Sequence, residues 1–346
     1  MGETPNRTID RTASGITLDE ANALRHRSGR AGGHYESYFL RANHPQRPLA
    51  FWIRYTIFSP AGRPGDAMGE LWAIAFDGER RQCVAVKREL PLDDCHFGAG
   101  ALDVRIGDAA LTSGGAVGDV TTSQHTIAWR LTVTGGGPPL LLLPSALYAT
   151  GLPRAKSLVP RPLAGFDGTL TVDGEHVPVT SWVGSQNHNW GSRHTDSYAW
   201  GQVAGFDGHP ETFLEVATAQ LRVGPFWTPR MTPLVLRHAA REHRVNATGR
   251  TLRARAALSY FTWTFAVRNE DVAIEGRIEA PRWAVVGLRY RNPPGGEKHC
   301  LNTKIATCTL TLVDRSSGRS ETLRTADRAA FEILTDDRRH GVPIAV

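Results

Sequence analysis

The feature that most limits what this chain can fold into is the length and period of its apolar runs. From His34 onward the runs are short and end at Gly, Pro, Asn or Asp: "YESYFLRA", "PLAFWIRYTIFS", "GELWAIAFD", "QCVAVKREL". Runs of this length, rich in aromatic and β-branched residues, read as strands. Period-two alternation is clear at 126–133, 254–267 and 303–313, whereas the 3.6 period of an amphipathic helix is rare. The 35 Gly and 21 Pro fall between the runs, and Asp173 and Gly174 mark a hairpin turn. The expectation is an all-β protein.

A length of 346 residues fits two domains or one large one. A weak internal repeat favours two. "SYFLRANHPQRPLAFWIRYTIF" from Ser37 and "SYAWGQVAGFDGHPETFLEV" from Ser197 both read Ser-Tyr, an apolar strand, a His-Pro loop and a longer apolar strand. The copies lie about half a chain apart, as two similar β units in tandem would place them. Closing each unit into a barrel removes the exposed edges that so many hairpins would otherwise leave. The expected division is a polar arm at 1–33, a first barrel at 34–185 and a second at 186–346. Within the arm, "LDEANALRHR" (18–27) reads as a turn or two of helix, with Asp19 and Glu20 early and Arg late.

Charge and cysteine usage exclude several function classes. The net charge of +6 comes from scattered Arg, densest at 237–244 and 250–255, with no nucleic-acid-binding motif beside it. A solvated surface is expected and no nucleic-acid partner. The start, "MGETPNRTID", lacks the apolar segment of a signal peptide and has Asn6 where a myristoylation signal needs Ser or Thr. The longest apolar run, 138–143, is too short to cross a bilayer, so a cytoplasmic protein is expected. Cys83, Cys95, Cys300 and Cys308 form no CxxC and read as free thiols.

The chemistry-bearing stretch is "GSQNHNWGSRHTDSYAWGQV" (184–203). His188, His194 and Asp196 are spaced by six and two, which does not match the helical His pair of zinc enzymes, so no metal is expected. His188 and Trp190 share one face of an extended segment. An imidazole beside an indole at the wall of an apolar cavity is placed to accept or relay a proton. In the structural alternative, Trp190 plugs a barrel and His188 is a hydrogen-bonding core residue. Glu215 lies in "TFLEVATAQ", on one face with Phe213, Ala217 and Ala219, opposite Leu214, Val216 and Thr218. If its face is the inner one, Glu215 is a general-acid candidate; if not, it is a surface charge. Trp182, Tyr198, Trp200, Phe206 and Trp227 crowd the same region, either as an aromatic cavity for a large apolar ligand or as plain core.

Three groups of residues carry a resemblance: the hairpin Gly168 to Gly174 with its Asp-Gly turn, the run His188-Asn189-Trp190-Gly191, and Trp200 with Gln202. They resemble the two-domain lipocalin-like family of carotenoid 1,2-hydratase (hydroxyneurosporene synthase), AttH-like proteins, tocopherol cyclase and lipocalin-like Diels–Alderases. Element order agrees over about 34–315. The resemblance implies two tandem lipocalin-like antiparallel β-barrels with an apolar ligand pocket near or between them. It implies a site lined by His188 and Trp190 with an acidic residue nearby as proton donor. Many relatives carry Asp or Glu just before this His; here Asn187 stands there, which leaves Glu215 as the donor.

Together these readings give an expected function. It is a cofactor-independent hydratase- or cyclase-like enzyme acting on a large apolar isoprenoid, carotenoid or polyketide. His188 and Glu215 are the candidate catalytic residues. Trp182, Trp190, Tyr198, Trp200, Gln202, Phe213 and Trp227 are the candidate substrate contacts. Its partner is the apolar ligand, with peripheral membrane contact as a route for picking it up. The alternatives are a non-catalytic lipid or pigment carrier using the same pocket and a structural β protein whose Arg-rich surface meets an acidic partner.

Overall fold

The computed structural model describes residues 15–29 and 31–346; the rest of the expected arm, 1–14 and Arg30, lies outside the described residues. The chain is almost entirely β, arranged as a nearly closed barrel followed by a half-barrel. No helix among the described residues is long and apolar enough to cross a membrane. In the arm, one short helix, Leu18–Asn22, is fixed by a capping box in which Thr17 and Glu20 bond each other's backbone.

Both sheets are antiparallel and share one plan. In the 12-stranded first sheet, strand His34–Asn43 sits between Leu49–Ser59 and the long strand Glu175–Gly191. In the 10-stranded second sheet, Ser197–Phe206 sits between His209–Gln220 and the long strand Ser320–Thr335. The repeated sequence thus marks the opening hairpin of each unit, whose first strand pairs with its own sheet's last strand. The Asp173 and Gly174 turn has φ of 50° and 85° and joins paired Val172 and Glu175, a two-residue hairpin of the kind that matches strand twist. Residues 186–191 pair with 35–40, so the chain changes sheet at 192–196 instead of at 185/186.

Three buried layers follow from strand alternation. Inside the first barrel pack Tyr38, Leu40, Phe51, Ile53, Tyr55, Leu71, Trp129, Phe166 and Trp182. Inside the second pack Val203, Leu214, Val216, Leu236, Trp263, Phe265, Ile274 and Phe331. The opposite faces of the same strands meet each other in a seam, where Phe39, Trp52, Trp72 and Ile74 face Trp200, Leu288, Tyr290, Ala330 and Leu334. Strands His34–Asn43 and Leu49–Ser59 are therefore buried along their whole length. That is why their sequences read as nearly continuous apolar runs instead of an alternation.

Candidate functional site

The seam holds a buried polar network at its centre, built from alternate residues of six strands. Arg41 and Asn43 project from the first barrel beside Phe39; Ser185 and Asn187 come from Glu175–Gly191. Trp200 and Gln202 face them from Ser197–Phe206, Glu215 from His209–Gln220, and Lys304 and Glu332 from the last two strands. Gln202 is the hub. Its Oε1 accepts from Arg41 Nε (2.8 Å) and Ser185 Oγ (2.6 Å), and its Nε2 donates to Asn187 Oδ1 and Glu215 Oε2 (2.8 Å each). Trp200 Nε1 donates to the other Glu215 oxygen at 2.7 Å. Asn43 joins this group to the next by donating to the Lys304 carbonyl (2.7 Å), and Lys304 Nζ donates to Glu332 Oε1 (2.8 Å) and Asn302 Oδ1 (2.7 Å).

The electrostatics of this network single out Glu215. Burial pushes its carboxyl up, the Trp200 and Gln202 N–H donors and the Arg41 charge pull it part of the way back, and it comes to about 7. Burial lowers Arg41 to about 9 and also lowers Lys304, which Glu332 partly restores. Aromatic faces surround the charges: Lys304 Nζ stands 5.4 Å from the Trp200 ring centroid and 5.6 Å from that of Trp52.

His188 belongs to a different cluster, on the inner face of the first barrel. Its Nε2 meets Glu36 Oε1 at 2.9 Å and its Nδ1 meets the Ala21 carbonyl at 2.7 Å, so both ring nitrogens face acceptors. The ring stacks on Tyr38 (4.3 Å between centroids) and touches Trp190 (4.8 Å). Glu36 is fully buried and also takes the backbone N–H groups of Arg25 and His26, the Tyr38 hydroxyl and His34 Nε2. Burial acts to raise its pKa, but the His188 and His34 hydrogen bonds, the His188 charge and the Arg25 N–H outweigh it and hold the carboxyl well below the ordinary range. Tyr38 Oη also donates to the Asn22 carbonyl, and Gln186 Nε2 to Asn22 Oδ1. This cluster fastens residues 17–28 across the end of the barrel.

No family model matches the chain. An uncharacterized protein of Mycobacterium tuberculosis, Rv0493c, is 24% identical over 328 residues, spanning 91% of this chain and 92% of its own. Among solved structures, a Nitrosomonas europaea protein assigned to AttH aligns with a TM-score of 0.56 at 13% identity, over 92% of this chain and 99% of its own. Kievitone hydratase from Nectria haematococca aligns at 0.51 and 11%, over 88% and 89%. CghA with Sch210972 aligns at 0.51 and 12%, over 92% and 95%. This chain has the AttH-like, two-domain lipocalin-like fold.

Within the lipocalin-like fold, the residues singled out from the sequence divide between places. Trp200, Gln202 and Glu215 meet in the seam, with half-buried Tyr198 packed against the same apolar cluster. Phe213 lies on the Glu215 face of its strand, against Leu140, Val159, Ala204 and Val235. His188 and Trp190 face the other way, and Trp190 packs on Ala21, Leu141 and Leu158 at the barrel end. Trp182 is inside the first barrel, stacked on Phe51. Trp227 is 48% exposed on the hairpin formed by Arg222–Val223 and Phe226–Trp227, whose two short strands pair only with each other. No hydrogen bond joins His188 to Glu215: adjacent residues of an extended strand point to opposite faces, and it is Asn187 that reaches the Glu215 network.

His188, His194 and Asp196 do not come together as a metal set. His194 lies against the Arg291 carbonyl and Tyr35, and Asp196 bonds Arg193 and the Arg222 N–H. Glu36, Arg41, Lys304 and Glu332 were not foreseen from the sequence. Their signal was a charged residue inside an aromatic or apolar strand, as in "YESYF" and "FLRAN".

Proposed function

We propose that this protein is a cofactor-independent enzyme that acts on a large apolar substrate at the seam between its barrels, with Glu215 as the proton donor or acceptor. The observation that carries the reading is a fully buried carboxyl brought to about 7, between two N–H donors and beside aromatic faces. A group poised near neutrality transfers a proton in either direction at physiological pH. Arg41 and Lys304 supply positive charge for an anion developing on an oxygenated substrate, while the Trp52 and Trp200 faces suit a cationic one. Hydration and ring closure are both reactions that such a site performs. Glu215 is 2% exposed, so substrate reaches it as seam side chains move aside.

Support also comes from the fold neighbours, one a hydratase by name and another solved with a bound compound. The ligand is to be identified by extraction from protein purified from its native host. With that ligand, Glu215→Gln keeps the shape and removes the titratable proton, and turnover is expected to fall about a hundredfold or more with binding little changed. A carrier binds the same ligand with no conversion, and normal turnover by the Gln variant refutes the assigned role of Glu215.

The hairpin that holds Trp227 supports peripheral membrane contact for ligand pick-up. Val223, Phe226 and Trp227 are 65, 75 and 48% exposed, between the exposed cations Arg222 and Arg230. Apolar tips flanked by Arg suit an anionic lipid surface. Sedimentation with phosphatidylserine vesicles is expected to pull down the wild-type chain, and Phe226→Ser with Trp227→Ser to reduce this at least fivefold. Equal sedimentation of the two proteins rules the hairpin out.

A further inference from the structure

We propose that His209, His238 and Glu321 form a binding site for a divalent transition metal, zinc by preference, at one end of the second barrel. The three residues come from the start of strand His209–Gln220, the end of Leu234–His238 and the start of Ser320–Thr335. The alternation of the last two strands places His238 on the face of Leu234 and Leu236, and Glu321 on the face of Leu323, both core-facing. At the barrel end these positions lose their apolar neighbours and look toward one another.

Both imidazoles already stand close to the carboxylate. His238 Nε2 is 3.0 Å from Glu321 Oε2, and His209 Nε2 is 3.4 Å from Glu321 Oε1. All three donor atoms lie within 4.8 Å of one another. Tetrahedral zinc with bonds of roughly 2.0–2.2 Å sets its donor pairs about 3.3–3.6 Å apart. Each imidazole approaches a different oxygen of the Glu321 carboxylate near that spacing, and rotation of His209, whose side chain is 39% exposed, brings the three donors around one ion. The ring centroids of His209 and His238 are 5.2 Å apart, edge to face, close enough for both imidazoles to share one ion.

The surroundings of His238 fit a ligand. This residue is buried, and its Nδ1 is 2.8 Å from Thr212 Oγ1. A Thr212 hydroxyl that accepts from Nδ1–H leaves the Nε2 lone pair aimed at the cluster, the partner arrangement typical of metal-bound His. Two imidazoles and one carboxylate are borderline donors that suit zinc. The half-exposed His209 and Glu321 leave a fourth position open to water. No local spacing joins 209, 238 and 321, so the site is invisible in the sequence, and the expectation of a metal-free chain rests on His188, His194 and Asp196.

The experiment is calorimetric titration of zinc chloride into chelator-washed full-length protein at pH 7.5. One equivalent is expected to bind at micromolar dissociation constant or tighter. His209→Ala and Glu321→Gln, both at half-exposed positions, are each expected to weaken it tenfold or more. Thr212→Ala is expected to keep the stoichiometry and weaken binding about tenfold. Cobalt(II) substitution is expected to give the visible absorption of a tetrahedral site, and to lose it in His209→Ala. Absence of saturable one-equivalent binding, or unchanged affinity in the His209→Ala and Glu321→Gln double variant, overturns the proposal.

Discussion

Glu36→Gln is expected to lower the free energy of unfolding by about 3–5 kcal/mol, the usual cost of removing one partner from a buried charged pair. Glu36 accepts from His188, His34, Tyr38 and the backbone N–H groups of Arg25 and His26 within a fully buried cluster. A glutamine of the same shape replaces one acceptor oxygen with an N–H₂ group that faces donors, and leaves buried donors without the carboxylate they met. The loss concentrates on residues 17–28, which are held to the barrel by these bonds and by those of Asn22 and Ala21. Urea unfolding is expected to show the shifted midpoint, and hydrogen exchange to show faster exchange at 17–28 than in either barrel. Because the folded-state carboxyl is held below its ordinary value, its contribution is present above about pH 4.5 and is lost as pH falls below that. The gap between wild type and variant therefore narrows in acid. A midpoint difference worth less than about 1 kcal/mol at pH 7 contradicts this account.

The same cluster shows where sequence reading stops. Strand positions, the Asp173 and Gly174 turn and the tandem plan were legible, because alternation and turn chemistry are local properties of the chain. From the sequence, Glu215 faces either barrel interior or solvent. The outcome was a third surface: Leu214 and Val216 fill the second barrel, and Glu215 faces the first. A strand buried on both faces carries no alternation that separates core from seam. The pairing of His188 with Glu36 joins residues 152 positions apart, and Arg41 with Gln202 joins residues 161 apart. Such partners are fixed by which strands become neighbours, and the pairing of each sheet's first strand with its last is not written in any local pattern. His188 and Trp190 do share a face, as their spacing required, but with Glu36 as the carboxylate.

Wild-type stability, compared with that of Glu215→Gln, is expected to decline by about 3 kcal/mol between pH 4.5 and 7.5. In the unfolded chain the carboxyl gives up its proton near its ordinary value of 4.5, whereas in the folded chain it comes to about 7. The stabilisation from a carboxyl that stays protonated in the fold is thus fully present below pH 4.5. It is lost as pH rises through 7, above which both states are ionised and the curve flattens. The Gln variant has no such titration, so the difference between the two proteins isolates this residue from every other group. Two opposing forces decide the sign. Burial disfavours the carboxylate, while Trp200, Gln202 and the Arg41 charge favour it, and Arg41 is itself weakened as a cation by its burial. If the N–H donors and the Arg41 charge dominated, Glu215 would stay ionised and wild type would gain on the variant with rising pH. Urea unfolding of both proteins at half-unit pH steps distinguishes the cases. A rising or flat difference removes the physical basis for Glu215 as a proton-transfer group at neutral pH, whatever the substrate is.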